Sequence, residues 1–172
     1  AFRTKILFDT NQLLQRAKSE EEILSQTASQ LMKLLNRSLI VYPEQNGDLG
    51  SEQVFEIDGE VPCNIFSAPE ERDAANWTFA NKKRSGAGTD SYPDAKGLYL
   101  ALRTGGGVFG VIGIDLSEKP LDAFENSVLL SILGEGALAI ENRRNALEKE
   151  QATVQAKNEE LRANLLRTIS HD

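Results

Sequence analysis

Cysteine and histidine are almost missing from this chain, with Cys63 and His171 the single examples in 172 residues. One cysteine excludes an internal disulfide and any zinc site built on cysteine pairs, and it points to the cytosol as redox compartment. One histidine, second from the end, excludes three-histidine metal sites and Ser-His-Asp chemistry in the domain body. Positive charge is also scarce. Nineteen Lys and Arg against 26 Asp and Glu leave a net charge of −7, which opposes general attraction to nucleic acid or anionic membrane surfaces. No apolar run approaches the ~20 residues of a membrane helix, and the N-terminal stretch lacks a charged-then-apolar signal pattern. What remains is 40% apolar residues, sufficient for one core that buries roughly 70% of the extended chain's surface. The chain opens at Ala1 and stops at Ser170-His171-Asp172 inside a helical pattern, so it is expected to be a segment of a larger protein.

Hydrophobic spacing predicts the elements. Phe2, Ile6, Leu7, Leu13 and Leu14 mark a first amphipathic helix closed by Ala17. Ser19 and Glu22 have capping-box spacing, and Leu24, Ala28, Leu31 and Leu35 then line one face of a second helix. Leu39-Ile40-Val41-Tyr42 reads as a strand halted by Pro43, and Asn46-Gly47-Asp48 as a turn into a return strand carrying Val54, Phe55 and Ile57. A third strand is expected over 61–66, weakened by Pro62. Ser67, Pro69 and Glu70 signal the start of a helix that ends near Asn81. From 82 to 97 no period survives, so a long loop is expected, and loops of that length are often functional. Strands 98–103 and 108–116 should pair as a hairpin around Gly105-Gly106-Gly107. After Pro120 the pattern is helical to the end, with Gly134 and Gly136 expected to pack closely against the sheet. The fold class is therefore α+β: an antiparallel sheet with helices on one face and long N- and C-terminal helices.

Elements in that order resemble a GAF domain. Trp77-Thr78-Phe79-Ala80-Asn81, Gly86-Ala87-Gly88-Thr89-Asp90, Pro93-Asp94-Ala95 and Leu98-Tyr99-Leu100-Ala101-Leu102 are similar to the GAF domain of potassium-sensing sensor histidine kinases of the Kdp type, over essentially the whole chain. The segment Leu161 to Asp172 resembles the start of a histidine kinase dimerisation helix, with its phosphoacceptor in a Ser-His-Asp box. The resemblance implies an incoming signalling helix at 1–18, a GAF domain at 19–142 and a linking helix at 143–172. It implies His171 as phosphoacceptor and Asp172 as its general base. It also implies a parent that uses ATP and magnesium, passes the phosphoryl group to a response-regulator receiver domain, and places this segment on the cytoplasmic side of the inner membrane. The segment itself lacks an ATP-lid motif and is expected to carry no cofactor or metal.

Two features bear on how such a domain would work. Ile140, Leu147, Val154 and Leu161 repeat every seven residues, but Arg144, Gln151 and Asn158 fill the companion positions. That spacing fits either a marginal coiled coil joining two subunits or a solvated linker helix. At 100° per residue His171 lies roughly 120° from the middle of the Leu161, Leu165 and Ile169 stripe, on the wet side. In a GAF fold, Trp77, Arg84, Thr89, Asp90 and Tyr99 would border a pocket for a small cytosolic ligand. Their plainer roles are a core Trp77 and a turn held by Thr89 and Asp90. Cys63 and His171 are poorly suited to a bilin or haem site, and the cyclic-nucleotide pattern begun by Asn81-Lys82 does not continue. The alternative function is a stand-alone ligand-binding or dimerisation module.

Overall fold

The computed structural model describes residues 2–57 and 64–170. Their order is α1 (Phe2–Arg16), α2 (Glu20–Leu35), β1 (Leu39–Gln45), β2 (Asp48–Leu49), β3 (Gln53–Phe55), α3 (Pro69–Asn81), β4 (Ser85–Gly86), β5 (Gly97–Thr104), β6 (Gly107–Asp115) and α4 (Ala123–Ser170). All strand pairs are antiparallel, in the order β2-β1-β6-β5-β4, with β3 also on β1. The α+β class with an antiparallel sheet and long terminal helices is as expected.

Residues 1–140 form one compact unit. Alternation along the strands splits its core in two, because successive side chains point to opposite faces. Leu39 and Val41, Leu98, Leu100 and Leu102, and Ile112 and Ile114 meet α1, α2 and the first half of α4. Ile40, Tyr42, Tyr99 and Val111 point the other way and meet Ala74 and Ala75 of α3. Three helices thus cover one face, and α3 covers the other. Each fully buried Leu or Ile contributes about 1.5–3 kcal/mol of transfer free energy, so both faces are strongly specified.

Local chemistry sets the helix ends. Ser19 caps α2 by accepting from Glu22 N at 3.1 Å, while Glu22 reaches back to Lys18 N at 2.7 Å. Asp122 and Glu125 make a second capping box at the start of α4, with Glu125 N to Asp122 Oδ1 at 2.7 Å and Asp122 N to Glu125 Oε1 at 3.1 Å. Pro69 occupies the first helical positions of α3, but Ser67 does not cap it. The Ser67 hydroxyl donates instead to Asn64 O at 2.6 Å, closing a 3₁₀ turn over Ile65–Ser67. That turn replaces the second half of the strand expected at 61–66; residues 61–63, like Cys63 itself, lie outside the described residues.

The two α4 glycines differ from expectation. A Cβ on Gly136 would sit 2.7 Å from Thr27 Oγ1, so this glycine permits close approach of α2, not of the sheet. Gly134 faces open space, with nothing within 4 Å of where a Cβ would be. On the same helix, Glu135 buries one carboxylate oxygen, Oε2, with no hydrogen-bond partner among the described residues. Burial pushes its carboxyl above the usual range. A raised folded pKa favours the protonated form, so this contribution to stability is present in acid and is lost as pH rises through the folded pKa. Glu135→Gln, which cannot ionise, should therefore gain in melting temperature relative to the parent chain as pH climbs from about 4 to about 8. A difference that stays flat over that range would show a solvated carboxylate.

Residues 141–172 form the second unit, helical through Ser170. Leu147, Val154, Leu161, Leu165 and Ile169 are all exposed there. At 100° per residue these five fall within about 80° of arc.

Candidate functional site

The α3 face of the sheet carries a buried polar cluster. Glu71 lies on the same side of α3 as Ala74, Ala75 and Thr78, at spacings of three, four and seven, and is only 2% exposed. Its Oε1 accepts from Gly97 N at 2.9 Å and from Tyr99 Oη at 2.7 Å, and its Oε2 accepts from Lys96 N at 3.0 Å. Three donors converging on an acceptor-only group suit a carboxylate held out of water. The cluster joins α3 to the start of β5.

Burial, and after it the hydrogen bond to Glu71, hold the Tyr99 phenol far above its ordinary value, so it remains a donor. Tyr42, on the same face, is pushed up to about 12, chiefly by burial and next by Glu52, with Arg72 pulling the other way. The Arg72 guanidinium sits 4.9 Å from the centre of the Tyr42 ring, and it also bonds Glu52 Oε2 at 3.1 Å and Leu49 O at 3.1 Å.

A second link fixes β4. Ser85 Oγ donates to Ala74 O at 2.7 Å and lies 2.7 Å from Thr78 Oγ1, all buried. Gly86 then crosses so close to Gly97 that a Cβ would stand 2.0 Å from its carbonyl oxygen, at a φ of +95°. Only glycine fits both constraints.

The five residues expected around a pocket are placed as follows. Tyr99 is in the polar cluster. Thr89 Oγ1 lies 2.8 Å from Gly86 O and 2.8 Å from Ser91 O and so holds the turn. Trp77 is half-buried, its carbonyl accepting from Asn81 Nδ2 at 2.9 Å. Asp90 is exposed. Arg84 turns to α4, donating to Asn126 Oδ1 at 2.8 Å. Glu71 and Ser85, which organise this face, were not among the residues singled out from sequence, and Thr78 entered only as part of the Trp77–Asn81 motif. The available signal was an acid on the apolar face of α3. His171 and Asp172 lie outside the described residues.

A distant buried cation completes the picture. Arg37, 7% exposed, follows α2 and donates through Nη1 to Asp115 O at 3.1 Å and Lys119 O at 2.6 Å, and through Nη2 to Pro120 O at 3.0 Å. Its Nε stands 3.6 Å from Glu125 Oε2. It thereby ties the end of α2 to the β6–α4 connection and to the first turn of α4. The glycine run 105–107 closes the β5–β6 hairpin, Gly106 N donating to Thr104 Oγ1 at 3.0 Å. Among the described residues no group of three or more His, Cys, Asp and Glu is arranged to hold a metal ion.

Comparison with known proteins places this geometry. No protein-family model matches the chain. A sensor protein KdpD of Clostridium acetobutylicum is 33% identical over 99% of the chain, and a sensor protein KdpD of Escherichia coli K12 is 26% identical, again over 99%. The chain spans about a fifth of the length of these relatives, 19% and 18%. The crystal structure of the GAF domain of the potassium sensor histidine kinase KdpD from Escherichia coli superposes with a TM-score of 0.62 at 20% identity, covering 88% of this chain and 99% of that one. The fold is thus a GAF fold, and with the sequence relationship running end to end, the chain is identified as a GAF domain of the KdpD type.

Proposed function

We propose that this chain is the regulatory domain of a two-component sensor histidine kinase governing the response to potassium limitation, and that α4 relays its state to a phosphoacceptor at His171. The observation that carries the reading is α4 itself, an unbroken helix over Ala123–Ser170 whose first half is built into the GAF core and whose last described residue adjoins His171. The names of the KdpD relatives supply the kinase context.

The stripe of Leu147, Val154, Leu161, Leu165 and Ile169 is exposed in a single chain. Pairing with the same stripe of a second copy in a parallel dimer buries it, and the polar Gln151 and Asn158 keep that seam weak. A weak seam suits relay, because a small free-energy difference can bias two packings. In the division we propose, 1–18 brings the signal in, 19–142 integrates it and 143–172 carries it out. The parent, anchored at the inner membrane with this segment in the cytoplasm, would supply ATP and magnesium from another domain. A neutral His171 nitrogen attacks the γ-phosphorus as the bond to the ADP oxygen breaks, Asp172 takes the other ring proton, and the phosphoryl group passes on to a receiver aspartate.

Peptide mapping of the autophosphorylated parent tests the assignment. Acid-labile phosphate should sit on the peptide containing His171, and deleting seven residues between 148 and 158 should preserve signalling where deleting two does not. Label on another histidine, or indifference to helix phase, would overturn the reading.

A further inference from the structure

One charged groove on the compact unit takes no part in the reading above. In a chain of net charge −7, Lys82, Lys83, Arg84 and Arg103 converge on a groove of about 240 Å³ between α4 and the outer side of β5. The strands open it. Ser85 pairs with Tyr99 and Gly86 with Leu98, but the ladder stops there, leaving β5 beyond Tyr99 with β6 as its only strand partner among the described residues. Three consecutive cations line one lip of this fork. Arg84 bonds to Asn126 on α4, and neither Lys82, Lys83 nor Arg103 has an ion-pair partner among the described residues.

A second observation comes from α4. Leu130 and Gly134 line the groove, and Leu138, four residues further on, continues the same helix face; Leu130 and Leu138 are 49% and 50% exposed. Glycine inside a helix is unfavourable, and nothing among the described residues requires it, since a Cβ there meets none of their atoms within 4 Å. Leu133, one heptad before Ile140, is buried, so this exposed stripe is not the seam of the linking helix. A notch between two exposed leucines is what a closely approaching helix from outside uses.

We propose that the groove docks an acidic amphipathic helix of a partner protein, its apolar ridge seated on Leu130, Gly134 and Leu138 and its carboxylates meeting Lys82, Lys83, Arg84 and Arg103. Charge complementarity selects this occupant. A second copy meeting this groove across a two-fold axis would set four cations against four. A small free anion would leave the leucine stripe uncovered.

The probe is a synthetic helical peptide with glutamates on one face and leucine and alanine on the other, titrated against the full 172-residue chain by fluorescence anisotropy. The triple variant K82E/K83E/R103E should weaken binding by about tenfold at low salt, as expected for three exposed charge pairs. Gly134→Leu should weaken it through bulk alone while its melting temperature does not fall, so that loss of binding is not loss of fold. A lysine-for-glutamate version of the peptide should not bind. Peptide affinity unchanged by both variants overturns the proposal. So does Gly134→Leu altering self-association in sedimentation, which would make the stripe a contact between copies, or phosphatidylglycerol vesicles binding through the same four cations, which would make it a lipid site.

Discussion

Glu71→Ala is expected to destabilise the domain by about 3–5 kcal/mol, because it leaves Lys96 N, Gly97 N and the Tyr99 hydroxyl without their shared acceptor. Each bond to a charged acceptor contributes roughly 1.5–3 kcal/mol, and water entering the vacated space returns part of that loss. Against a total stability of about 5–15 kcal/mol for a domain this is a large fraction. Intermediate variants should fall in order. Glu71→Gln keeps an oxygen for Gly97 and Tyr99 but turns an amide toward the Lys96 N–H, two donors facing each other, and should cost about 1–2 kcal/mol. Tyr99→Phe removes one of the three bonds and should cost a similar amount. Urea unfolding of the three variants, with unchanged m-values, checks the ranking. A Glu71→Ala variant within about 1 kcal/mol of the parent chain would mean that the cluster is already wet.

Arg37→Met should be comparably damaging, at about 3–5 kcal/mol, because it strands the carbonyls of Asp115, Lys119 and Pro120 and removes the buried guanidinium that faces the partly exposed Glu125. Arg37→Lys separates charge from geometry. A lysine keeps the positive charge but not the planar fork that reaches three carbonyls and a carboxylate from one position, so about half of the loss should remain. Denaturant midpoints measure both, and equal stabilities for Met and Lys would show that the fork adds nothing. Arg37 also joins the helix that precedes the sheet to the helix that leaves it. On the proposed function, signalling should therefore respond to Arg37→Lys even where the domain remains folded.

Much of the architecture was legible because burial and periodicity coincide. The second helix could be read from its capping box and its Leu24, Ala28, Leu31 face, and the β5–β6 hairpin from two apolar runs around a glycine turn. What escaped was long-range or masked by a local explanation. Glu71 passes in sequence for an ordinary acid in a helix's first turn, where it would suit the dipole. Only its alignment with Ala74, Ala75 and Thr78 hints that it faces inward. The partners of Arg37 lie 78 to 83 residues further along, beyond any local pattern. β4 is two residues long, one of them glycine, too short to show a period. The pocket residues read from sequence include Thr89, which holds a turn, and Arg84, which reaches α4. The phosphoacceptor proposed at His171 rests on sequence alone, since that residue falls outside the described ones.

The asymmetry of α4 has a last consequence for how the chain melts. Initiating a helix is the unfavourable step, and extending one adds a hydrogen bond for each residue fixed. Val128, Leu129, Ile132, Leu133 and Ile140 anchor the early turns in the core, so that step is completed wherever the sheet is folded. The later turns, with no buried side chain of their own, need only grow from that root. Amide protons along the distal turns should therefore fray inward from the far end, while anything that loosens the sheet undermines the whole rod at its base.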